Sequence, residues 1–488
     1  MSRLTGQECT AQGAELKRKR VSVLGLAREG IAVTRFAAEH GAMVTVSDDK
    51  DSAQLQSALA ELASLPIRYE LGGHPLTLLD CDVLFVSPGI PLDAPIMIAA
   101  RQRHLPLSSE ARLFTRLCPA TVAGVTGSSG KTTTCTVLAR MLEADGRTVH
   151  LGGNIGYPLL SKVSAIRPTD MVVMELSSFQ LDFFADVLDA EPAGEYVSPL
   201  FPAGGWSPPV AAVLNVTPNH LDRHPTMESY TAAKRKILQY QRPTDVAILG
   251  WDDPVARGLG QSCRGRVAYF GLNDAVPAGA CLRGQDLVLA QRGGAERICG
   301  QHELVLRGRH NVANVLAACA MASELGVGVK AMADVARTFA GVPHRLELVR
   351  ELEGVRYYND SIATSPERAM AALQSFDEPI VLLAGGRDKH LPWEAWATVV
   401  QRKVALVITF GEAAPLVEGV LKRLGQGSPP VQSAGSLTKA VQIAHAAATP
   451  GQVVLLSPGG TSFDAFRDYV ERGDVFRELV SHLGSAGG

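Results

Sequence analysis

The stretch from Val122 to Leu142, VAGVTGSSGKTTTCTVLARML, constrains the fold more than any other part of the chain. An apolar run leads into a turn of glycines and serines, and a helical segment follows that turn. In such a strand–loop–helix unit, the backbone N–H groups of the loop and the helix N-terminus point at one spot, which suits a phosphate. The unit therefore predicts an α/β fold with a nucleotide-binding loop.

The functional core of this loop is Gly127-x-x-Gly130-Lys131-Thr132. Five residues separate Gly124 from Gly130, one more than in the common P-loop pattern. We expect Lys131 to reach the outer phosphates and a threonine hydroxyl to join a magnesium shell. The predicted nucleotide-binding residues of the loop are Gly127, Ser128, Ser129, Gly130, Lys131, Thr132 and Thr133.

Composition narrows the classes of protein that are possible. The chain has 488 residues, 46% hydrophobic and 20% charged, with a formal net charge of -2. This is typical of a globular protein of about three domains without a nucleic-acid partner. The eight cysteines include no C-x-x-C pair, which favours reduced thiols. There is no signal-peptide pattern and no apolar run of about 18 residues. We expect a cytoplasmic protein, a monomer, without a membrane span.

The first segment, predicted to cover residues 1–118, opens with a βαβ pattern, VSVLGLAREGIAVTRFAAEHGAMVTVSDD. Its first turn runs from Gly25 to Gly30, and Asp48 and Asp49 follow its second strand. A third strand ends in the turn Ser87 to Gly89, which we expect near the same ligand, because ligands of open α/β sheets lie at the carboxyl ends of the strands. The full G-x-G-x-x-G fingerprint is missing, so a dehydrogenase is the least favoured hypothesis.

The two remaining segments are predicted to cover residues 119–341 and 342–488. Strands alternate with helices in the central segment, which predicts a mostly parallel sheet around the P-loop. Four apolar strands of the third segment each end in a polar or glycine turn, which predicts a second Rossmann-like domain. A stretch rich in proline, glycine and aromatics at 183–209 predicts a long loop or lid.

Several polar residues follow predicted strands of the central segment. Glu175 ends a buried strand, where a carboxylate is costly unless it binds a metal ion or forms an ion pair. The stretch NVTPNHLDRH offers His220 as a ligand of a second magnesium or a phosphate, and Arg223 as a charge-stabilising group. By its pattern alone, Lys234 belongs to a solvated helix face.

Further polar residues could contact a nucleotide. Asn311 and Asn314 lie three positions apart on one helix face, where they either bind a base or ribose or cap the helix. Asp360 ends a strand of the third segment, where its carboxylate could accept hydrogen bonds from ribose hydroxyls. Arg345 could reach phosphates.

Taken in order, these segments resemble the Mur ligase family of peptidoglycan synthesis. The resemblance covers almost the whole chain and rests on the motifs GVTGSSGKTTT, ELSSFQLD, NVTPNHLDRH…YTAAK, GRHNVAN, PHRLE and NDSIAT. The SSFQL phrase and the closing LLSPGGTSFDAFRDYVERGDVF are similar to the members that add D-glutamate to UDP-N-acetylmuramoyl-L-alanine. The resemblance implies a UDP-sugar domain, a central ATPase domain and a C-terminal amino-acid domain. It also implies that ATP phosphorylates the acceptor carboxylate and that glutamate attacks the acyl phosphate.

The resemblance also implies roles for individual residues. Lys131, His220 and Lys234 match catalytic positions, and Lys234 matches a lysine that the family carbamylates. Thr132, Glu175, His220 and the carbamate of Lys234 would hold Mg²⁺. Asn311, Arg345 and Asp360 match ATP contacts. The residues that match substrate contacts are Asp48, Asp49, Ser87, Gly89, Asn154, Ser462 and Tyr469.

One position departs from the pattern of the D-glutamate enzymes, and two alternatives follow. Ile362 stands where those enzymes often have lysine, which removes a carboxylate contact worth about 1.5–3 kcal/mol unless Lys389 or Arg467 replaces it. A sister ligase that adds L-glutamate is therefore an alternative. A non-catalytic nucleotide-binding regulator is another, although it would not need the lysine at position 234.

Overall fold

The computed structural model describes residues 14–184, 205–218, 223–273, 276–291, 294–306, 308–388, 391–425 and 427–484. The chain forms two compact units, one ending at Phe339 and the other starting at Ala340. Two of the three sheets belong to the first unit and the third to the second. Each sheet lies inside one of the segments 1–118, 119–341 and 342–488, whose exact boundaries stay predictions.

The first sheet is parallel in the order β3-β2-β1-β4-β5. The βαβ pattern predicted at its start is present as β1, α1 and β2. The elements are β1 (Arg20–Leu24), α1 (Arg28–Glu39), β2 (Met43–Asp48), α2 (Gln56–Leu62), β3 (Ile67–Leu71), β4 (Val83–Val86), α3 (Pro95–Gln102), β5 (Leu107–Ser108) and α4 (Glu110–Leu117).

The central sheet has the order β14-β13-β12-β11-β10-β9-β6-β8-β7. Its pairs are parallel except β12 with β13 and β13 with β14. The elements are β6 (Thr121–Thr126), α5 (Lys131–Ala144), β7 (Val149–Gly153), β8 (Met171–Glu175), α6 (Ser178–Leu181), β9 (Val210–Val213), α7 (Met227–Gln239), β10 (Val246–Gly250), α8 (Pro254–Gly258), β11 (Arg266–Gly271), β12 (Gly279–Arg283), β13 (Asp286–Gln291), β14 (Gly294–Gly300), α9 (Arg309–Glu324) and α10 (Val329–Thr338).

The second unit holds a sheet in the order β15-β16-β20-β17-β18-β19, in which β15 pairs antiparallel with β16 and the other neighbours pair in parallel. The elements are β15 (Glu347–Leu352), β16 (Val355–Asn359), α11 (Pro366–Leu373), β17 (Ile380–Gly385), α12 (Glu394–Lys403), β18 (Val404–Phe410), α13 (Ala414–Arg423), β19 (Val431–Gly435), α14 (Leu437–Ala447), β20 (Val453–Gly459) and α15 (Tyr469–Ser481).

The three sheets confirm the predicted α/β class. The apolar sequences of their inner strands explain why the chain adopts it. The inner strands are continuous apolar runs: β8 and β20 are buried along their whole length. Strands read this way when helices cover both faces of a parallel sheet. Because parallel strands end at the same edge, the loops after β6, β7, β8 and β9 gather at one edge of the central sheet.

The predicted loop or lid at 183–209 lies mostly outside the described residues. Its described ends meet: the N–H of Trp206 donates to the carbonyl of Phe184 at 3.0 Å, and the two rings pack edge to face with centroids 5.5 Å apart. Phe184 and Trp206 therefore lie in contact, although they are 22 positions apart in the sequence.

The described part of the chain contains no helix that is long and apolar enough to cross a membrane. Seven of the cysteines lie in this part, and all are free thiols.

Candidate functional site

The glycine-rich loop joins β6 to α5 in the middle of the central sheet. Gly130 stands at its end with φ +81°, a left-handed conformation that glycine adopts without strain. A Cβ atom on Gly130 would lie 2.2 Å from Oδ1 of Asn314, so the Asn314 side chain would have to move to admit it. The loop therefore needs glycine at this position for two independent reasons, backbone conformation and space.

The residues after β9 hold the loop from the other side. The N–H of Ser129 donates to Oδ1 of Asn215 at 2.9 Å, and the hydroxyl of Ser128 donates to the carbonyl of Thr217 at 2.9 Å. His220, a predicted catalytic residue and metal ligand, follows closely in the chain but lies outside the described residues.

Two lysine ammonium groups converge on one carbonyl of the loop. Nζ of Lys131 donates to the carbonyl oxygen of Gly127 at 2.8 Å, and Nζ of Lys234 donates to the same oxygen at 2.9 Å. Lys234 is 1% exposed, and its Nζ lies 4.4 Å from the ring centroid of Tyr230. The helix pattern alone suggested a solvated lysine, and this is wrong, because Lys234 sits on the buried face of α7.

This environment changes the acid–base properties of Lys234. Burial, reinforced by the nearby charge of Lys131, lowers the pKa of Lys234 to about 7. Desolvation disfavours a charged amine, and a like charge disfavours it further. Near neutral pH a large fraction of Lys234 is therefore an uncharged amine, which is the nucleophilic form.

Glu175 joins the ends of β7 and β8 to the start of α5. It terminates β8, is 2% exposed, and accepts a hydrogen bond from the hydroxyl of Thr132 at 2.8 Å on Oε2. Its Oε1 accepts from Nδ2 of Asn154, the residue after β7, also at 2.8 Å. The structure thus brings Thr132 and Asn154 together on the two oxygens of Glu175, although the three residues are distant in the central segment of the sequence.

Thr132 and Glu175 also show whether the site could hold Mg²⁺. A hydroxyl oxygen and a carboxylate beside the phosphate loop are the hard oxygen ligands that Mg²⁺ prefers, so the residues present fit this ion. Among the described residues there is no cluster of three or more His, Cys, Asp or Glu side chains that could hold a metal ion.

The helix α9 begins against the glycine loop. Nδ2 of Asn314 donates to Oδ1 of Asn311 at 3.3 Å, and Asn314 packs on Gly130 as described above. The helix-cap alternative for these asparagines does not hold, because the N-cap position is Gly308. Asn311 is thereby placed beside the loop, where its predicted ATP contact stays a prediction.

The residues of the first sheet that are predicted to bind the substrate lie at the carboxyl ends of β2 and β4, next to the β1–α1 turn. Oδ2 of Asp48 accepts from the N–H of Leu26 at 2.7 Å, so this carboxylate fixes the turn. The hydroxyl of Ser87 donates to the carbonyl of Gly25 at 3.1 Å, so the two turns do meet at the carboxyl ends of β1 and β4. Asp49 is exposed, with Oδ1 3.3 Å from Nε2 of His74.

Arg223 has a different position from the one expected for a group that stabilises charge. Its guanidinium donates to the carbonyls of Pro88, Gly89 and Ile90 at 2.8–3.1 Å. It also lies 4.7 Å from the ring centroid of Phe179. Arg223 therefore fastens the turn containing Gly89 to the central segment.

In the second unit, Asp360 and Arg345 have opposite environments. Asp360 is 4% exposed, and its oxygens accept from the hydroxyl of Ser457 at 2.8 Å and the N–H of Leu346 at 3.2 Å. Burial raises the pKa of Asp360 to about 7. Arg345 is exposed. The proposed ATP contact of Asp360 thus competes with hydrogen bonds that fix the strand ends, whereas Arg345 keeps contact with solvent.

Arg472, which the sequence did not single out, holds the loop that carries Ser462 and contacts Ser361, which bonds to Tyr469 at the start of α15. Arg472 is fully buried, and its guanidinium donates to the hydroxyl and carbonyl of Ser361 and to the carbonyls of Gly460 and Thr461. Ser462 is 2% exposed, and the carbonyl of Tyr469 accepts from the hydroxyl of Ser361 at 2.8 Å. The sequence feature that could have pointed to Arg472 is its position on a helix that follows a strand ending in glycine.

Comparisons with known proteins agree along the chain. Family profiles match the Mur ligase MurD-like N-terminal domain at 19–109, the Mur ligase middle domain at 125–195 and 202–322, and the Mur ligase glutamate ligase domain at 344–460. A UDP-N-acetylmuramoylalanine--D-glutamate ligase of Acetivibrio thermocellus is 40% identical over 96% of this chain and 97% of the relative. A protein of the same name from Symbiobacterium thermophilum is 42% identical over 95% and 98%.

A solved structure has the same fold at low identity. The UDP-N-acetylmuramate-alanine ligase of Thermotoga maritima superposes with a TM-score of 0.54 at 18% identity, covering 95% of this chain and 99% of that one. The two relatives above match this chain over nearly its full length at much higher identity. With its three sheets, its glycine loop and the carboxylate at the end of β8, the chain belongs to the Mur ligase family.

Proposed function

We propose that this protein is an ATP-dependent ligase that joins D-glutamate to UDP-N-acetylmuramoyl-L-alanine through an acyl phosphate, in the synthesis of peptidoglycan precursors. The observation that carries the proposal is the convergence of Lys131, Lys234, Thr132, Glu175 and Asn154 around the loop between β6 and α5. The curated relatives are named for this reaction, so a sister ligase for L-glutamate is not favoured.

The loop would bind ATP. Its N–H groups and the N-terminus of α5 favour a phosphate, and Lys131 adds a positive charge that can turn from the carbonyl of Gly127 to the outer phosphates. Thr132 and Glu175, with His220, would hold Mg²⁺, which supplies charge neutralisation on the phosphates. Asn154 holds the Glu175 carboxylate in place by donating to Oε1.

Lys234 fits the carbamate that the resemblance implies. An uncharged Nζ attacks the carbon of CO₂, an N–C bond forms, and one proton leaves to solvent. The product is an anionic oxygen group on a side chain that was a cation. The lowered pKa of Lys234 favours this step, because only the neutral amine has the lone pair.

The reaction would proceed in two balanced steps. A carboxylate oxygen of the acceptor attacks the γ-phosphorus of ATP, and ADP leaves. The amine nitrogen of glutamate then attacks the acyl carbon, the C–O bond to phosphate breaks, and the amine loses a proton. Lys131 would offset the negative charge that moves between the phosphates and the acceptor.

The substrate contacts remain proposals. Asp48, Asp49, Ser87 and Gly89 would line the UDP end of the acceptor, and Asn154 its muramoyl end. In the second unit Ser462 and Tyr469 would contact glutamate. The apolar side chain of Ile362 offers no charge for the glutamate carboxylate. Lys389, outside the described residues, and the exposed Arg467 are the cations proposed to replace it. We also propose that the protein acts as a monomer in the cytoplasm.

The test measures phosphate release by the purified protein with ATP, Mg²⁺ and UDP-N-acetylmuramoyl-L-alanine, comparing D-glutamate with L-glutamate. Release with D-glutamate alone is expected. Release with L-glutamate alone would show that the protein is the alternative ligase, which adds L-glutamate. No release with either would refute the proposed acceptor or the catalysis. A variant Lys131→Met, which lacks the phosphate-binding charge, should release no phosphate.

A further inference from the structure

Two glutamates of the first unit present buried oxygens without a donor. Oε2 of Glu29, in the first turn of α1, and Oε2 of Glu110, at the start of α4, are both buried and accept no hydrogen bond from any described residue. Both side chains line one cavity, together with Val33, Phe85 and Ser87, that is too narrow to hold a water molecule. A buried acceptor without a donor is costly, so this pair needs an explanation.

The second oxygen of each carboxyl has a defined partner in the central segment. Oε1 of Glu29 accepts from Nε2 of Gln180 at 2.7 Å, and Oε1 of Glu110 accepts from the N–H of Leu160 at 2.8 Å. Gln180 closes the capping box of Ser177, two residues after Glu175. Leu160 follows the loop that carries Asn154. The pair therefore connects the β1–α1 turn to both loops that position Glu175.

A shared proton accounts for both orphan oxygens. Two carboxyls in one dry cavity cannot both ionise, because burial and mutual repulsion raise their pKa values. Burial is the larger cause for both glutamates, and for Glu110 the charge of Glu29 adds to it. A neutral carboxyl can donate its O–H to the other carboxyl, which satisfies both oxygens at once.

We propose that Glu29 and Glu110 share a proton and that this bond is a positioning device, holding the Gly25–Gly30 turn in the conformation that binds the UDP end of the acceptor. This inference rests on the proposed function. Neither glutamate touches the reacting atoms, so both are positioning residues. Loss of the proton would leave two facing anions, which would push α1 away from α4 and disturb the turn from Gly25 to Gly30.

Few other charges act on the pair. Arg28 precedes Glu29, favours its ionised form, and donates from NH1 to the carbonyl of Gly156 at 2.7 Å. Among the charged side chains on the elements packed around α1 and α4, Asp48 accepts from the N–H of Leu26, Arg35 donates to the carbonyl of Glu61, Arg116 pairs with Glu15, and Lys162 lies over the ring of Tyr157. A further cation on α4 is the half-buried Arg112, two positions after Glu110.

The test compares Glu29→Gln with the wild type. A glutamine at this position can still accept from Gln180 and can donate from Nε2 to Glu110 at every pH. Glu39→Gln, an exposed change on the same helix, is the matched control. For the wild type and the control, the KM for UDP-N-acetylmuramoyl-L-alanine should rise once the pH exceeds the value at which Glu29 and Glu110 lose their shared proton. The rise should be about tenfold for each further pH unit, and kcat should be less affected. In Glu29→Gln the same KM should stay nearly constant.

Parallel KM profiles for wild type and Glu29→Gln would overturn the inference, as would a wild-type KM that is independent of pH. Glu110→Gln gives a second test if Glu29→Gln does not fold. Infrared spectroscopy supplies an independent measurement: near neutral pH the C=O band of protonated carboxyls should be weaker in the Glu29→Gln/Glu110→Gln double variant than in the wild type, with Asp360 contributing equally to both. A wild-type protein that releases no phosphate at any pH would refute the proposed function, while the infrared band would still decide the shared proton.

Discussion

The two ends of α5 offer a matched pair of glycines for testing why the nucleotide loop needs Gly130. Gly130 precedes the helix with φ +81° and Gly146 follows it with φ +83°. Around Gly146 there is open space, whereas a Cβ on Gly130 would meet Oδ1 of Asn314 at 2.2 Å. Gly146→Ala therefore measures backbone strain alone, and Gly130→Ala measures the same strain plus the displacement of Asn314.

The expected magnitudes follow from these geometries. A left-handed conformation costs an alanine about 1–2 kcal/mol, so Gly146→Ala should lower the free energy of unfolding by that amount. In Gly130→Ala, Asn314 must also move and lose its hydrogen bond to Asn311, worth about 1 kcal/mol. The total for Gly130→Ala is then about 2–3 kcal/mol.

Denaturant unfolding without nucleotide measures both variants, and steady-state kinetics measure the effect on ATP. Gly130→Ala should raise the KM for ATP and lower kcat, because the alanine displaces the loop and the start of α9. Gly146→Ala should leave both constants unchanged. Equal destabilisation by the two variants, with an unchanged KM for ATP, would refute the argument that Asn314 fills the space beside Gly130.

Three further predictions concern single side chains. Lys234→Met should abolish phosphate release and the mass increment of one bound CO₂, whereas Lys236→Met, on the same helix, should retain both; a CO₂ adduct in Lys234→Met would contradict the assignment. Arg472→Met should destabilise the second unit by about 2–5 kcal/mol in denaturant unfolding, because three carbonyl groups lose buried donors, while the exposed Arg467→Met should change stability by less than about 0.5 kcal/mol. The raised pKa of Asp360 means that the folded state favours the neutral acid, so stability should fall as pH rises from about 4 to about 7 and then level off; Asp360→Asn should flatten this slope, and an unchanged slope would refute the raised pKa.

The sequence predicted the parts of the fold that depend on local pattern. The strand–loop–helix unit at Val122–Leu142 and the βαβ unit before Asp48 are visible from apolar runs and glycines, because these features reflect neighbours in the chain. The edge at which the sites gather was also predictable, since parallel strands end together. The position of Glu175 near the P-loop follows from this rule, because its strand is a neighbour of the strand that leads into the loop.

The contacts that give these residues their chemistry could not be predicted in the same way. Lys234 bonds to Gly127 across 107 positions, and Glu29 bonds to Gln180 across 151. Such partners depend on how a helix rotates onto a sheet, which a helical pattern does not specify. This is why a pattern that suggested a solvated lysine was wrong for Lys234.

The meeting of Lys131 and Lys234 shows how one contact can serve two kinds of chemistry. In the proposed reaction, Lys131 would stay charged to attract phosphates, and Lys234 would lose its proton to attack CO₂. Both amines donate to the carbonyl of Gly127, and burial together with the charge of Lys131 lowers the pKa of Lys234. The lysine of the proposed nucleotide loop thereby helps to lower the pKa of Lys234, so the two lysines are coupled although they lie on different helices.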